Sequence, residues 1–521
     1  MVRAAAISAR RYGAALPPPR YNFVRELLAG FNEPRKPALV FARDGTSPSG
    51  DDLWTYARLA DGVHAAMRVL RDRGVARGER ILLRMHNGPE YALAYLGASA
   101  IGAVPIPLAT GLTETEIEFL AEDSDAAAII AGDELAIGSA ASGRIAIEQA
   151  DFAAAITRGD SVPQPFADTS RDDPAYQVYT SGSTSRPKGV VHAHRAIFGR
   201  RPMYDGWYEI GPPDVMLHSG ALNWTYALGT GFIDPLANGA TAVLHKGTPD
   251  ANVWPQLARR FSVTIFASVP GIYRILLREN ANMGPALRHC LTAGEAMPAA
   301  MAEAWRTLTG RPVCEAFGMS EISTYISTPP SFAARPGSPG RPQPGRAVAI
   351  LPVDGGDTPL ARGETGVLAV HRSDPGLMLG YWGRPDEEAE SMRSDWFVTG
   401  DLATMDDDGF VFPQGRADDM INAMGYRVSP DEVEAALEGD ARVLEAAAVE
   451  YRPSPGVSLV AAFIVPARNG QIDLEAIKHD VASRLAIYKR PRHLEIVAEL
   501  PKTANGKLRR RALREALNSG S

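Results

Sequence analysis

Residues 179–189 read YTSGSTSRPKG, a run of hydroxyl side chains and glycines that ends in proline, lysine and glycine. Gly182 allows the backbone to turn its amide groups inward, and Lys188 adds a positive charge. Further hydroxyl donors come from Thr180, Ser181, Ser183 and Thr184. The stretch therefore has the composition of a phosphate-binding loop, although an ordinary polar turn can have the same composition.

The order of residues in this stretch differs from the Walker loop. That loop requires GxxxxGK followed by Ser or Thr, whereas here Lys188 precedes Gly189 and Val190 follows. The preceding AYQVYT predicts a short buried strand, and the following GVVHAHRAIFG predicts a strand or the start of a helix. A strand that delivers its loop to a ligand is typical of α/β proteins.

The composition favours a globular protein that acts on small molecules. The chain has 521 residues, of which 45% are hydrophobic and 22% charged, so two or more domains are expected. A net charge of -7 supplies no bulk electrostatic reason to bind nucleic acid or a membrane. The two cysteines, Cys290 and Cys314, lie in apolar segments and are predicted to be buried thiols rather than a disulfide framework or zinc ligands.

The first residues, MVRAAAISARRYGAALPPP, are rich in Arg and Ala and contain no acid. They lack the continuous apolar core of a secretory signal, which leaves a transit peptide or a disordered lead as interpretations. No stretch of eighteen apolar residues occurs, so we expect no bilayer span and a cytoplasmic location.

The order of strand and helix patterns predicts an α/β fold with more than one domain. Alternating patterns from about residue 50 indicate parallel sheets covered by helices. A Gly- and Pro-rich stretch at 335–346 precedes β-like segments, which indicates a further β-rich subdomain. After a break near 413–419, a shorter pattern predicts a small α+β domain. We therefore predict an N-terminal domain over 1–413, a connecting segment over 414–419 and a C-terminal domain over 420–521.

Four further segments combine glycine with acidic or polar residues at predicted strand ends. They are AGEAMP at 293–298, AFGMSE at 316–321, VTGD at 398–401 and GRADDMINAMGYRVSPDEVE at 415–434. Each segment alone is typical of a turn, with its acid capping a helix or facing solvent. Together with YTSGSTSRPKG and the terminal PKTANGK, they resemble the adenylate-forming superfamily of acyl-CoA synthetases, luciferases and peptide-synthetase adenylation domains. The resemblance covers nearly the whole chain and departs at Ser185, where the family usually has glycine.

The resemblance implies an AMP-forming acid–thiol ligase, an acyl-CoA synthetase, that uses ATP, Mg²⁺ and coenzyme A. By resemblance, Glu321 would hold Mg²⁺, Asp401 would accept both ribose hydroxyls and Arg416 would donate to the same sugar. A carboxylate suits a hard cation. The full set implied for ATP or AMP comprises Thr180, Ser181, Gly182, Ser183, Thr184, Lys188, Gly294, Glu295, Ala296, Glu315, Ala316, Phe317, Gly318, Met319, Ser320, Asp401 and Arg416.

The resemblance also implies that the small C-terminal domain is mobile and carries the catalytic lysine. Lys507 would bridge the acid's carboxylate and the α-phosphate, where a positioned cation stabilises shifting charge. Asp418 matches the family's hinge position, Gly425 would line the thiol tunnel, and Arg427 resembles an arginine near the phosphates. On charge alone, Lys507 would be one more cation of a basic tail.

The resemblance places the acid pocket around six residues and leaves the acid itself open. They are Trp224 with its segment ALNWTYALGTG, Pro270, Gly271, Ala293, Gly318 and Tyr325. For Trp224, simple core packing is an equal alternative. The stretch GMSEISTYIST resembles benzoate-type and medium-chain ligases more than long-chain ones. A small aromatic or a short- to medium-chain aliphatic acid is therefore expected.

Two other functions remain open at this point. A standalone adenylation enzyme that loads a carrier protein would differ only in its acceptor, and a regulatory homologue would bind nucleotide without catalysis. Retention of Lys188, Glu321, Asp401, Arg416 and Lys507 argues against the regulatory homologue. A homodimer is a further expectation, as is acetylation of Lys507 by a lysine acetyltransferase, which would remove its charge.

Overall fold

The computed structural model describes most of the chain, and its contacts divide the chain into two compact units. The described residues are 16–43, 46–158, 162–180, 187–247, 250, 252–417, 419, 421–423, 426–454, 457–467, 473–482, 484–502 and 508–519. The first unit comprises Met1–Ala347 with His371–Asp395, and the second comprises Val348–Val370 with Trp396–Ser521.

The strands, in chain order, are β1 (Pro37–Ala42), β2 (Asp52–Thr55), β3 (Arg80–Arg84), β4 (Val104–Pro107), β5 (Ala126–Ala131), β6 (Ile145–Glu148), β7 (Pro174–Thr180), β8 (Lys188–Ala193), β9 (Val215–His218), β10 (Thr241–His245), β11 (Ile265–Ser268), β12 (His289–Ala293), β13 (Val313–Met319), β14 (Ser323–Ser327), β15 (Arg341–Pro342), β16 (Val348–Leu351), β17 (Gly366–His371), β18 (Gly380–Tyr381), β19 (Met392–Arg393), β20 (Trp396–Met405), β21 (Val411–Arg416), β22 (Ile421–Ala423), β23 (Tyr426–Val428), β24 (Val443–Ser454), β25 (Val457–Pro466) and β26 (His493–Ile496).

The α-helices are α1 (Phe23–Ala29), α2 (Tyr56–Asp72), α3 (Pro89–Ala100), α4 (Glu114–Asp123), α5 (Gln149–Arg158), α6 (Arg195–Phe198), α7 (Asp234–Ala237), α8 (Val253–Arg260), α9 (Pro270–Arg278), α10 (Ala299–Thr309), α11 (Pro385–Glu390), α12 (Pro430–Glu438), α13 (Leu474–Ala482) and α14 (Arg510–Ser519). Tyr204–Tyr208 and Ala227–Ile233 are π-helical, and Gly138–Ala141 is a short 3₁₀ helix.

A nine-stranded sheet forms the centre of the first unit. Its order is β15-β14-β13-β12-β11-β9-β10-β1-β2, and the strands from β13 to β1 run parallel. One face packs on a cluster that includes Phe266 and Trp305, and the other packs on a cluster that includes Trp207 and Tyr226. Because both faces are covered, the parallel strands are mostly apolar. Their carboxyl ends meet at one edge, which is where α/β proteins bind ligands.

A second parallel sheet, β4-β3-β5-β6, belongs to the same unit. The predicted helix from about Glu90 to Ile101 is α3, one residue earlier at each end. Thr113 and Glu116 form a capping box at the start of α4, in which the side chain of each accepts a hydrogen bond from the backbone N–H of the other. These bonds satisfy two backbone donors of the first turn. The predicted α/β alternation is therefore confirmed.

The stretch that follows Tyr179 closes a β-hairpin rather than joining a strand to a helix. β7 and β8 pair antiparallel with Thr180 opposite Lys188, and β18 continues the small sheet beside β8. GVVHAHRAIFG therefore forms a strand first, and the short helix α6 begins only at Arg195. Strand pairing therefore holds Thr180 and Lys188 opposite each other.

The second unit contains a β-rich part followed by an α+β part. β16, β17, β20 and β21 form neighbouring strands, while β24, β25 and β26 form a separate sheet with α12 against it. This order confirms the predicted β-rich subdomain and the small α+β domain. The prediction that VTGD lies at a strand end is wrong, because Asp401 lies inside β20, where the pairing with β21 shifts register. Segment 414–419 lies within the second unit.

The sequence also predicted buried cysteines and no membrane-spanning segment. Cys290 and Cys314 are both free and buried, and burial raises the pKa of the Cys290 thiol to about 12. They are therefore poorly reactive packing residues, as predicted. Among the helices of the described residues, none is long and apolar enough to cross a membrane.

Candidate active site

The β7–β8 hairpin is anchored on the sheet by a close approach at Gly189. A Cβ at this position would lie 2.4 Å from the end of the Gln177 side chain, so any larger residue would have to displace that amide. The Gly189 carbonyl also accepts a 2.7 Å hydrogen bond from the Trp382 amide. Thr180 and Lys188 are thereby fixed at the base of the loop, while the predicted Ser181, Gly182, Ser183 and Thr184 lie outside the described residues.

Lys188 is held by an acid that the sequence reasoning missed. Its ammonium forms an ion pair with Glu387 in α11, and it also lies 5.2 Å from the centre of the Tyr381 ring. Arg384 donates to Glu387 at 3.1 Å and to the Pro187 carbonyl at 3.1 Å. The hydrogen bond from Lys188, more than the Arg384 contacts, lowers the pKa of the Glu387 carboxyl. The cation of the loop is therefore oriented before any anion arrives.

Two side chains join this hairpin to the AFGMSE segment. His192 in β8 donates from Nε2 to the Ser320 carbonyl at 2.8 Å, and burial lowers the pKa of this imidazole to about 4. Tyr381 donates from its hydroxyl to Glu321 Oε1 at 2.9 Å. The structure thus brings Lys188 and Glu321 to one place, although they are 133 positions apart in the sequence. Neither His192 nor Tyr381 stands out in the sequence as a site residue.

Glu321 fits the metal role that the resemblance implies. Its carboxylate is buried, and Tyr381 occupies one of its oxygens, which leaves acceptor capacity for a hard cation. Among the described residues, no group of three or more His, Cys, Asp or Glu could hold a metal ion. An ion at Glu321 would therefore have to take most of its ligands from substrate phosphates and water.

The segments implied for adenine lie side by side at the sheet edge. Thr292 and Ala293 of β12 pair with Glu315 and Ala316 of β13. The next residue, Gly294, has φ of +95° and is exposed together with Glu295 and Ala296. Burial raises the pKa of the Glu315 carboxyl to about 7. Glu315 is therefore protonated far more readily than an ordinary surface acid.

Gly318 allows the AFGMSE segment to fold sharply onto β14. A Cβ at this position would lie 2.3 Å from the Ser323 carbonyl oxygen, and the pairing of β13 with β14 shifts register between Phe317 and Gly318. The Phe317 ring meets the Tyr325 ring edge-on with centroids 5.9 Å apart. Phe317, Gly318, Met319 and Ser320 are all partly exposed, so this strand end remains accessible to a ligand.

The structure brings some of the residues predicted for the acid pocket close together, among them Trp224 and Ala293. Trp224 is partly exposed, and its ring edge lies 3.5 Å from where a Cβ of Gly294 would stand. It packs against the cluster that includes Ala293 and Tyr226, a position that fits both core packing and a place in the acid pocket. Pro270 and Gly271 form the first turn of α9, directly after β11.

Two buried residues, His218 and Tyr226, lie beside Trp224. Their rings contact the Trp224 ring edge-on, with centroids 6.4 Å and 5.3 Å from it. Tyr226 belongs to the segment ALNWTYALGTG that the sequence assigned to the acid pocket, whereas His218 was missed, because no motif distinguishes it from a core residue.

In the second unit, Asp401 and Arg416 face each other across β20 and β21. The guanidinium lies 3.7 Å from the carboxylate and donates to the Thr399 carbonyl at 3.0 Å. Gly400 has φ of +80°, and a Cβ there would lie 2.7 Å from the Arg416 guanidinium. Glycine therefore lets the arginine cross the strand beside the acid.

The remaining predicted residues lie outside the described part of the chain. They are Asp418, Gly425 and Lys507, and of Arg427 only the backbone, in β23, is described. The neighbouring Asp419 accepts from Arg514 of α14 at 3.2 Å. This hydrogen bond connects Asp419, which follows the predicted hinge residue Asp418, to the C-terminal helix α14.

The fold and the paired segments at the sheet edge define a nucleotide-dependent acid-activating enzyme, and comparison with known proteins agrees. Residues 29–382 match the AMP-binding enzyme family, and residues 432–507 match the AMP-binding enzyme C-terminal domain. The chain belongs to the AMP-binding enzyme family. The predicted enzyme class, an AMP-forming acid–CoA ligase that uses ATP, Mg²⁺ and coenzyme A, is confirmed at the level of this family.

Three known proteins illustrate the similarity. The benzoate–CoA ligase of Thauera aromatica is 33% identical over 520 residues, which cover 96% of this chain and 97% of the relative. The 3-hydroxybenzoate–CoA ligase of Aromatoleum sp. (strain CIB) is 32% identical over 488 residues, covering 89% and 92%. The crystal structure of a benzoate CoA ligase from Burkholderia xenovorans LB400 superposes with a TM-score of 0.83 at 30% identity, covering 95% of this chain and 100% of that one.

Proposed function

We propose that this protein activates a small aromatic carboxylic acid as its acyl adenylate, releases pyrophosphate, and then transfers the acyl group to coenzyme A. The observation that carries the proposal is the junction of Lys188, Glu387, Tyr381 and Glu321, in which Tyr381 lies near the Lys188 cation and donates to the Glu321 carboxylate. The named relatives act on benzoate and hydroxybenzoate, which favours an aromatic acid.

In this proposal the first unit holds the triphosphate and the metal. The loop between Thr180 and Lys188 surrounds the β- and γ-phosphates, and Lys188 supplies a point charge to them. Glu321 holds Mg²⁺, which neutralises charge on the phosphate oxygens when bound. Tyr381 orients the Glu321 carboxylate, and His192 fixes the backbone just before it. These contacts preorganise the site, so less ordering is needed when the nucleotide binds.

The second unit supplies the ribose contacts and the mobile lysine. Asp401 accepts both ribose hydroxyls and Arg416 donates to the same sugar. Lys507 bridges the acid's carboxylate and the α-phosphate during adenylation. Rotation about Asp418, in the segment 414–419 between the domains 1–413 and 420–521, then withdraws Lys507 and brings Gly425 and Arg427 toward the adenylate for the thiol step.

The acid lies against the wall formed by Trp224, Ala293, Gly318 and Tyr325. Two observations support an aromatic wall: the Trp224 ring contacts the buried Tyr226 ring, and the buried Tyr325 ring contacts the Phe317 ring. Aromatic walls favour a flat ring, since offset or edge-on ring contacts add to the burial of apolar surface.

The test is pyrophosphate release from ATP with a panel of aromatic and aliphatic acids, with and without coenzyme A. We expect release with small aromatic acids and acyl-CoA formation when coenzyme A is present. Release that leads to no acyl-CoA would point instead to a carrier-protein acceptor. Absence of release with every acid would contradict the proposal and favour a nucleotide-binding regulatory protein.

We also propose that Lys507 is acetylated and that the chain forms a homodimer. Acetylation of Lys507 by a lysine acetyltransferase would remove the charge that adenylation needs, so a fully acetylated sample should release no pyrophosphate. Unchanged activity in a sample shown by mass spectrometry to be fully acetylated would contradict this.

The homodimer is tested by light scattering of the purified chain. A monomer at all concentrations would contradict it.

A further inference from the structure

Two buried polar atoms beside the proposed acid pocket have no hydrogen-bond partner among the described residues. They are Nε2 of His218 and the hydroxyl of Tyr226. His218 is fully buried, and Tyr226 is 9% exposed. Buried polar atoms almost always have a hydrogen-bond partner in native proteins. Two neighbouring residues that each have an unpaired buried polar atom therefore require an explanation.

The hydrogen bonding of His218 determines which atom carries its proton. The Gly220 amide donates to Nδ1 at 2.8 Å, so Nδ1 is an acceptor and carries no proton. Burial lowers the pKa of this imidazole to about 3, so the ring is neutral at pH 7. The single proton of a neutral imidazole then lies on Nε2. The orphan atom of His218 is therefore a hydrogen-bond donor.

The pair lies next to Trp224, one of the residues proposed for the acid pocket. His218 is the last residue of β9, at the carboxyl edge of the parallel sheet, beside Ala267 of β11. Its ring meets the Tyr226 ring at 4.5 Å with an interplanar angle of 80°, and Tyr226 meets Trp224 at 5.3 Å. The surrounding rings can offer only weak π acceptors to Nε2.

Two glycines lie close against the His218 side chain. A Cβ at Gly231 would lie 2.6 Å from the Cβ of His218, and one at Gly220 would lie 3.0 Å from its ring. The space that His218 occupies therefore depends on the absence of a side chain at both positions.

We propose that His218 and Tyr226 form a hydroxyl-selecting pair, so that the preferred substrate is an aromatic acid that carries a ring hydroxyl. A phenolic oxygen accepts from Nε2 of His218 and donates its own proton to the Tyr226 oxygen, which satisfies both orphans. A ring amino group is a poor acceptor, and an unsubstituted ring leaves both atoms unpaired. This inference rests on the proposed function, because it assumes an aromatic acid in this pocket.

The test compares kcat/KM for pyrophosphate release with benzoate, the three hydroxybenzoates and the three aminobenzoates. We expect at least one hydroxybenzoate to exceed benzoate and the corresponding aminobenzoate by on the order of tenfold or more. Tyr226→Phe should lower the hydroxybenzoate-to-benzoate ratio by about tenfold, and His218→Leu should lower it similarly. His218→Gln keeps an N–H donor and should retain part of the ratio.

Binding provides a second readout and a check on folding. Calorimetric Kd values for the best hydroxybenzoate and for benzoate, without ATP, should show the same change of ratio in the variants. Tyr91→Phe is the matched control, since it removes another buried tyrosine hydroxyl, bonded to the Leu222 carbonyl at 3.3 Å, and should leave the ratio unchanged. Melting temperatures identify variants whose fold is impaired, and for those the ratio is read from His218→Gln.

Three outcomes would overturn the inference. Equal kcat/KM for benzoate and all hydroxybenzoates would overturn it while leaving the proposed function intact. Equal losses for both acids in Tyr226→Phe would assign the hydroxyl a purely structural role. Activity with aliphatic acids only would overturn both the aromatic function and this pair.

Discussion

Lys188 and Glu387 form an ion pair at the base of the β7–β8 hairpin, with both side chains largely shielded from solvent. Because Glu387 also accepts from Arg384, its position does not depend on Lys188 alone. The ion pair restricts the rotamers of the Lys188 side chain. Preorganisation of this kind lowers the entropy cost of binding an anion.

Glu387→Gln should raise the KM for ATP by roughly three- to tenfold, with a smaller effect on kcat, because the variant loses the orientation of Lys188 but keeps its charge. Initial rates at varied ATP measure this. Asp386→Asn, an exposed neighbour on the same helix, is the matched control for charge. A lower KM in Glu387→Gln would show that Glu387 competes with phosphate instead of orienting the lysine.

Tyr381→Phe should increase the Mg²⁺ concentration needed for half-maximal rate by a few-fold, since Glu321 loses the hydrogen bond that orients it. High Mg²⁺ should restore most of the rate. The variant retains the aromatic ring near Lys188, so its ATP affinity at saturating Mg²⁺ should change little. A loss that added Mg²⁺ cannot correct would contradict the orienting role.

Asp401→Asn should weaken discrimination between ATP and 2′-deoxy-ATP. The carboxylate is expected to accept both ribose hydroxyls, and each charge-assisted bond contributes roughly ten- to a hundredfold in binding. The ratio of kcat/KM for the two nucleotides is the measurement. Retention of the wild-type ratio in the variant would remove Asp401 from the ribose site.

Lys507→Ala should lower acyl-adenylate formation by on the order of a hundred- to a thousandfold while preserving most of the thioester step from supplied acyl adenylate. Lys502→Ala in the same PKTANGK motif is the control, because Lys502 is paired with Glu445 at 2.8 Å. Equal loss of both half-reactions in Lys507→Ala would contradict domain alternation.

Glu315 predicts a specific pH dependence of stability. Burial raises its pKa from 4.5 to about 7, so the folded state binds this proton more tightly than the unfolded state does. Wild-type stability relative to Glu315→Gln should therefore fall as pH rises from about 4.5 to about 7, by at most about 3 kcal/mol. Urea unfolding of both proteins across this range measures the difference, and parallel profiles would show that the carboxyl is not perturbed.

The helices and strands were largely predictable because their signals are local. The pattern EYALAYLGASAI indicated α3 within one residue, and FSVTIFASVP followed by GIYRILLREN indicated β11 and α9. The prediction for VTGD failed because a bulge inside β20 and a strand end look alike in sequence, since both use glycine with positive φ.

The sequence by itself determined the α/β class, the order of the subdomains and the enzyme family, because hydrophobic periodicity and closely spaced motifs are properties of short segments. Only the tertiary structure determined which side chains contact the residues of those motifs. Glu387 meets Lys188, Tyr381 meets Glu321, and His218 meets Tyr226 through contacts that strand order and helix packing create. Pairs of this kind leave no local pattern, because their partners are set by the register of the sheet and by burial rather than by spacing along the chain.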